Sequence, residues 1–106
     1  MNDRLEQLRA LLADEPRDGF LRYAIALELK RLGKNAEAIV DLQALVREEP
    51  EHIATYYQLA TLYAEAGRIE EAVATCDAGA LRCVVTGDRK TRAELLSLKA
   101  NLRDEE

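Results

Sequence analysis

The sequence predicts an all-α protein: a right-handed stack of antiparallel helical hairpins, an α-α superhelix of five helices. Three observations carry this prediction. The 106-residue chain repeats itself at a spacing of 34 residues, and self-similarity at a fixed period of this size is the signature of stacked repeats. Its apolar content leans on Ala and Leu, with one Phe, no Trp and two Pro, a mix that costs little in a helix. Finally, Gly33, Pro50 and Gly67 stand where apolar stretches of helical period must end.

The repeat is legible residue by residue. At a shift of 34, Glu15-Pro16 falls on Glu49-Pro50, Tyr23 on Tyr57, Ile25 on Leu59 and Ala26 on Ala60. Leu29 meets Tyr63, Gly33 meets Gly67, Lys34 meets Arg68, Glu37-Ala38 meets Glu71-Ala72, Ile39 meets Val73 and Leu42 meets Cys76.

Within the first copy, a helix over residues 19–32 places Ile25, Ala26 and Leu29 on one apolar stripe. Gly33 stops it by taking the left-handed conformation. Asn35 is expected to cap the next helix through its side-chain oxygen. That helix carries Ala38, Ile39, Leu42, Leu45 and Val46 on one face. It ends before Pro50, which pushes Glu49 towards extended geometry. Ala26, Ala38, Ala60 and Ala72 are small where paired helices approach closely. Gly79 should serve the same closeness, since a glycine inside a helix otherwise costs about 1 kcal/mol against alanine.

The ends extend the pattern. Leu5, Leu8, Leu11 and Leu12 fall on Ile39, Leu42, Leu45 and Val46, so residues 2–14 read as an N-terminal capping helix. In the second copy Val84 stands where Pro50 stood, so that helix is expected to run a turn further. After Thr86-Gly87-Asp88 a last helix follows. The unchanged shift puts Ala93, Glu94 and Ser97 at core positions. A loop three residues longer puts Leu96, Ser97 and Ala100 there, the preferred register. The whole, residues 1–106, is read as one domain: cap 2–14, first repeat 19–52, second repeat 53–86, C-terminal cap 88–104. Terminal units need a polar outer face, because the last one has no neighbour.

These residues resemble the tetratricopeptide repeat family. The second copy carries its pattern best, as Tyr56, Leu59, Ala60, Tyr63, Gly67, Ala72 and Cys76. The first copy departs from it where Arg22 stands opposite Tyr56. The resemblance implies a small stand-alone interaction protein whose concave groove is lined by the first helix of each repeat. In this chain those positions hold Phe20, Tyr23, Ala24, Leu27, Lys30 and Arg31, then Tyr57, Gln58, Thr61, Ala64 and Glu65. Of these, Phe20, Tyr23, Leu27, Lys30, Arg31, Tyr57, Gln58 and Thr61 are the expected peptide-binding residues, with Tyr23 and Tyr57 stacked in the groove. Packing at the hairpin junction is the competing role for the two tyrosines. Relatives that hold the carboxylate terminus of a chaperone tail use Lys and Asn on the groove side. Here Tyr23 and Leu27 occupy the first such positions, so that clamp is not expected. A peptide with an apolar anchor and some acidic character fits better, at micromolar affinity, roughly −7 to −8 kcal/mol.

Other function classes find little support. The net charge is −5, and the densest basic group, Arg89, Lys90 and Arg92, is flanked by Asp88 and Glu94, so nucleic acid is not an expected partner. The lone histidine, His52, is expected at a helix start facing solvent, and nothing around it assembles a nucleophile and base. Glu70-Glu71 fall in a first helical turn, where the dipole favours acids. Cys76 and Cys83 lie about 10 Å apart along one helix, too far for a disulfide, and no metal spacing is present. No enzyme, cofactor or metal is expected. Neither a membrane span nor the apolar core of a signal peptide is seen, and a cytoplasmic location is expected. The alternative function is a structural subunit that self-associates or docks on a larger assembly through its terminal helices.

Overall fold

The computed structural model describes residues 3–104. Asn2, at the start of the expected N-terminal cap, and the last two residues of the acidic tail, Glu105 and Glu106, lie outside the described residues. Six helices form among those described: α1 (Asp3–Asp14), α2 (Gly19–Arg31), α3 (Asn35–Glu48), α4 (Ala54–Glu65), α5 (Ile69–Thr86) and α6 (Arg89–Asp104). The expected count of five is corrected to six: two hairpins supply four helices, and a further helix flanks each. The residues fall into two compact units, divided between Glu49 and Pro50.

In the first unit, α1 packs on α2 and α2 on α3. Its core is Leu5, Leu8, Ile25, Ala26, Leu29, Ala38, Ile39, Leu42 and Leu45. Leu11 does not join it: it is exposed, and Leu12 is half-buried. Only two of the four aligned leucines are therefore buried. Asp18 caps α2 by accepting from the Leu21 N–H at 3.1 Å. Gly33 ends it at φ 79°, and the Lys34 N–H closes the turn on the Leu29 carbonyl at 2.8 Å. The Lys34 carbonyl then accepts from the Ala38 N–H. Lys34 therefore holds the cap position of α3, with no side-chain cap bond. Asn35 becomes the first helical residue, correcting its expected capping role. Glu49 ends α3 at φ −135° and ψ 69°, outside the helical region that the following proline disfavours but short of the extended geometry expected.

In the second unit, α4 packs on α5 and α5 on α6, with α4 also reaching α6. The turn of the first hairpin recurs: Gly67 at φ 78°, with the Arg68 N–H on the Tyr63 carbonyl. α5 runs to Thr86 and ends at Gly87, a turn beyond the point where Pro50 closes α3. Gly79 is fully packed. A Cβ there would lie 2.6 Å from the Tyr56 Cβ and 2.8 Å from the Leu95 Cδ1. α6 turns Leu95 and Leu102 inward, whereas Ser97 and Ala100 are exposed and Leu96 is half-buried. The preferred register of α6 is thus corrected, and so is the unchanged shift, since Ala93, Glu94 and Ser97 are all exposed. Leu95 and Leu102, seven apart, make the buried seam, and Leu95 lies against Gly79.

Candidate binding surface

Each of α2 and α4 buries one side and leaves its opposite side more open. α2 turns Ile25, Ala26, Glu28 and Leu29 inward. At 3.6 residues per turn, its opposite face carries Phe20, Ala24, Leu27 and Arg31, flanked by Tyr23 and Lys30. Phe20 is 74% exposed. Tyr23, Ala24, Leu27 and Lys30 are half-buried. The structure therefore brings the five predicted residues of the first repeat onto one open helix face. Tyr23 is not a core residue.

One member of this face has a structural task. Glu28 is a buried acid, 5% exposed. Arg31 donates to it through both Nε and Nη2, and Arg4 of α1 stands 3.7 Å away. The bond from Glu28 raises the Arg31 pKa, with the carboxylate's charge adding to it. Arg31 thus neutralises a buried carboxylate while its guanidinium remains on the open side. Arg22, the residue opposite the aromatic of the second copy, points the other way and pairs with Glu48 at 3.0 Å and Glu49 at 3.7 Å.

α4 repeats the geometry with different chemistry. It buries Thr55, Tyr56, Leu59, Ala60, Leu62 and Tyr63. Tyr57, Gln58 and Thr61 lie half-buried on its open face, and the Thr61 hydroxyl donates to the Gln58 carbonyl at 2.8 Å. Of the aromatics, Tyr56 and Tyr63 are core and Tyr57 is not. The Tyr56 hydroxyl donates to the Pro50 carbonyl at 2.7 Å. Arg68 stacks 4.7 Å from the Tyr63 ring centroid and pairs with Glu71. That bond raises the Arg68 pKa and lowers that of Glu71.

His52 is half-buried rather than solvent-facing, with Nδ1 2.8 Å from the Thr55 hydroxyl. Thr55 is itself fully buried, which draws the imidazole into the turn before α4. Cys76 and Cys83 are free thiols, both buried. Burial pushes the Cys76 pKa up to about 11 and raises that of Cys83. Among the described residues no helix is long and apolar enough to cross a membrane.

The hairpins, their glycine turns and their small-residue contacts have close counterparts. The tetratricopeptide repeat profile matches residues 29–83. The solution structure of a tetratricopeptide repeat domain protein from Salinibacter ruber is 31% identical, covers 86% of this chain and 92% of its own, and superposes with a TM-score of 0.82. The chain belongs to the tetratricopeptide repeat family. Its fold is that of a protein–protein interaction module, a family that is generally non-catalytic. Two more distant structures share the tetratricopeptide fold. The solution structure of a Bordetella parapertussis protein, at 21% identity, covers 99% of this chain and 91% of its own, with a TM-score of 0.85. The TPR2B domain of yeast Sti1, solved as a complex with pHsp70, is 19% identical, covers 96% of this chain and 82% of its own, and has a TM-score of 0.87. No curated protein matches the sequence.

Proposed function

We propose that the chain is a non-catalytic adaptor or scaffold module of the cytoplasm, acting as one unit over residues 1–106. It takes a peptide or partner segment on the open faces of α2 and α4, the inner helices of the family's concave groove. Phe20, Tyr23, Leu27, Lys30 and Arg31 on α2, and Tyr57, Gln58 and Thr61 on α4, are the proposed contacts.

The observation that carries this reading is the second apolar stripe of α2. A helix needs apolar residues where it packs on its neighbours, which for α2 are α1 and α3. Here Phe20, at 74% exposure, continues through Tyr23 and Leu27 on the side away from the core. Tyr23 and Tyr57 are half-buried, and tyrosine's apolar body and polar tip suit recognition. Two free, buried thiols are in keeping with a reducing compartment.

The test is capture of partners from native lysate on immobilised protein, with the Tyr23→Ala/Tyr57→Ala variant as control after circular dichroism has shown it folded. A protein retained by the wild type and lost by the variant supports the reading. The same set on both removes it.

A second reading rests on a separate observation. Leu81, Val84 and Val85 are 67%, 62% and 72% exposed on one side of α5, a patch suited to self-association or docking on a larger assembly. Light scattering that shows a mass rising with concentration, and restored to the monomer by Leu81→Lys, would favour it.

A further inference from the structure

The outer side of α5 is apolar without being covered. From Ala72 to Val85 the only polar side chains are Thr75, Asp77 and Arg82, and a helix apolar all round is normally buried all round. One side of it is: Ala72, Val73, Cys76, Gly79, Ala80 and Cys83 lie inside the second unit. On the other side Ala74, Ala78, Leu81 and Val85 are all exposed. Their spacing of four, three and four residues lines them up in one stripe over about 16 Å of helix.

Folding of the repeat does not require this stripe. At the shift of 34, Ala74, Ala78, Leu81 and Val85 fall on Val40, Ala44, Arg47 and Glu51. The first copy shares the apolar beginning and ends it in charges. α5 also runs a turn further than α3, but continuation asks only that proline be absent at Val84. Valine is among the weaker helix formers, so helix length alone does not select Val84 and Val85 for an open surface.

The stripe names its own occupant. It is small at one end, Ala74 and Ala78, and large at the other, Leu81 and Val85. Turned end for end it matches itself: Ala74 meets Val85 and Ala78 meets Leu81. Each layer then sets a small side chain against a large one, which suits helices packed about 8–10 Å apart. The charges follow the same reversal. Exposed Glu70 stands in the first turn of α5, and exposed Arg89 opens α6 just past the other end. Asp77 and Arg82, which flank the stripe, are held within the chain by Lys99 at 2.7 Å and Glu51 at 3.9 Å. A surface complementary to itself under a two-fold rotation is the mark of an isologous dimer.

We infer that two copies of the chain pair through the outer faces of their α5 helices, antiparallel about a two-fold axis between Ala78 and Leu81, with Glu70 of each copy beside Arg89 of the other. This rests on the self-association reading above and supplies its occupant, polarity and register. It uses none of the contacts proposed on α2 and α4. One such stripe on each side provides less than a standard interface, roughly 800 Å² per partner, so the dimer is weak, with a Kd on the order of 10–100 µM.

The experiment uses the whole chain. Sedimentation equilibrium from about 10 µM to about 1 mM should fit a monomer and a dimer with no larger species, because an isologous contact closes on itself. Leu81→Lys should weaken the dimer about tenfold or more. Glu70→Lys should weaken it about threefold, and Glu70→Lys/Arg89→Glu should restore it. These positions are exposed, and circular dichroism verifies that each variant folds. Disulfide capture reads the register. Cys76 and Cys83 are buried, so thiols placed on the outer face are the ones that react. An equimolar mixture of Ala74→Cys and Val85→Cys chains, made distinguishable in mass, should give mainly the mixed disulfide dimer, and each variant alone should give little.

A monomer at every concentration, association unchanged by Leu81→Lys, no rescue by the double exchange, or Ala74→Cys cross-linking alone as well as in the mixture overturns the inference. In the last three cases self-association itself stands and only this pairing falls. A monomer removes self-association too, and docking on a larger assembly is then judged by lysate capture with Leu81→Lys as control.

Discussion

Gly79 lies directly against Tyr56: the Cβ that the glycine lacks would sit 2.6 Å from the tyrosine's own Cβ. The atom it would strike is the first of a side chain, next to the backbone of α4, and Leu95 of α6 closes the other side at 2.8 Å. Glycine at this point of α5 lets three helices share one contact. Gly79→Ala should therefore destabilise the protein by about 1–3 kcal/mol, as overpacking does, although alanine gains about 1 kcal/mol in helix propensity. Urea unfolding followed by circular dichroism reads the sign. A more stable variant would mean the helices can part at no cost.

Glu28 is the buried charge of the first unit, and Arg31 and Arg4 answer it. Glu28→Gln keeps the shape but weakens both bonds. A loss of about 1–2 kcal/mol in urea unfolding is expected. Because Arg4 belongs to α1, protease cleavage within residues 3–14 should also quicken in this variant.

Alkali should weaken the fold. Burial raises the pKa of Cys76 to about 11, and raises those of Cys83 and Tyr56 as well, with Arg82 opposing the shift at Tyr56. In each case the folded value lies above the unfolded one. Their contribution to stability is complete below the unfolded pKa and is lost as pH rises through the folded pKa. For Cys76 this places the loss between an ordinary value of 9.0 and about 11. Urea midpoints measured from pH 8 to pH 11 should fall steadily. An aromatic disulfide reagent at pH 8 should label neither cysteine quickly until denaturant is added.

Asp88 caps α6 by accepting from the Thr91 N–H at 3.0 Å. That backbone bond, with the Thr91 side chain adding, lowers its pKa below the ordinary 3.8. Its contribution is therefore present above that value and lost as pH falls through the lower, folded one. Asp88→Ala should lower the thermal midpoint at pH 7. The gap from wild type should close at low pH, where the wild-type carboxyl is also protonated. A gap of equal size at both pH values would count against the cap.

The period of 34 residues and the glycine turns determined the fold on their own, because both act locally. A 3.6-residue apolar stripe selects the helix, and a residue free to adopt positive φ ends it. The run of α5 past the point where Pro50 closes α3 was legible for the same reason. Tertiary structure decided what no local rule reaches. It chose Leu95 and Leu102 as the seam of α6, with Leu95 set against the space that Gly79 leaves. It separated Tyr56 and Tyr63, which are core, from Tyr23 and Tyr57, which are half-buried, since all four have the same propensity and differ only in what packs beside them. It also bound Arg31 to Glu28, a pairing set by the burial of an acid that the sequence shows simply as one more charge on a helix.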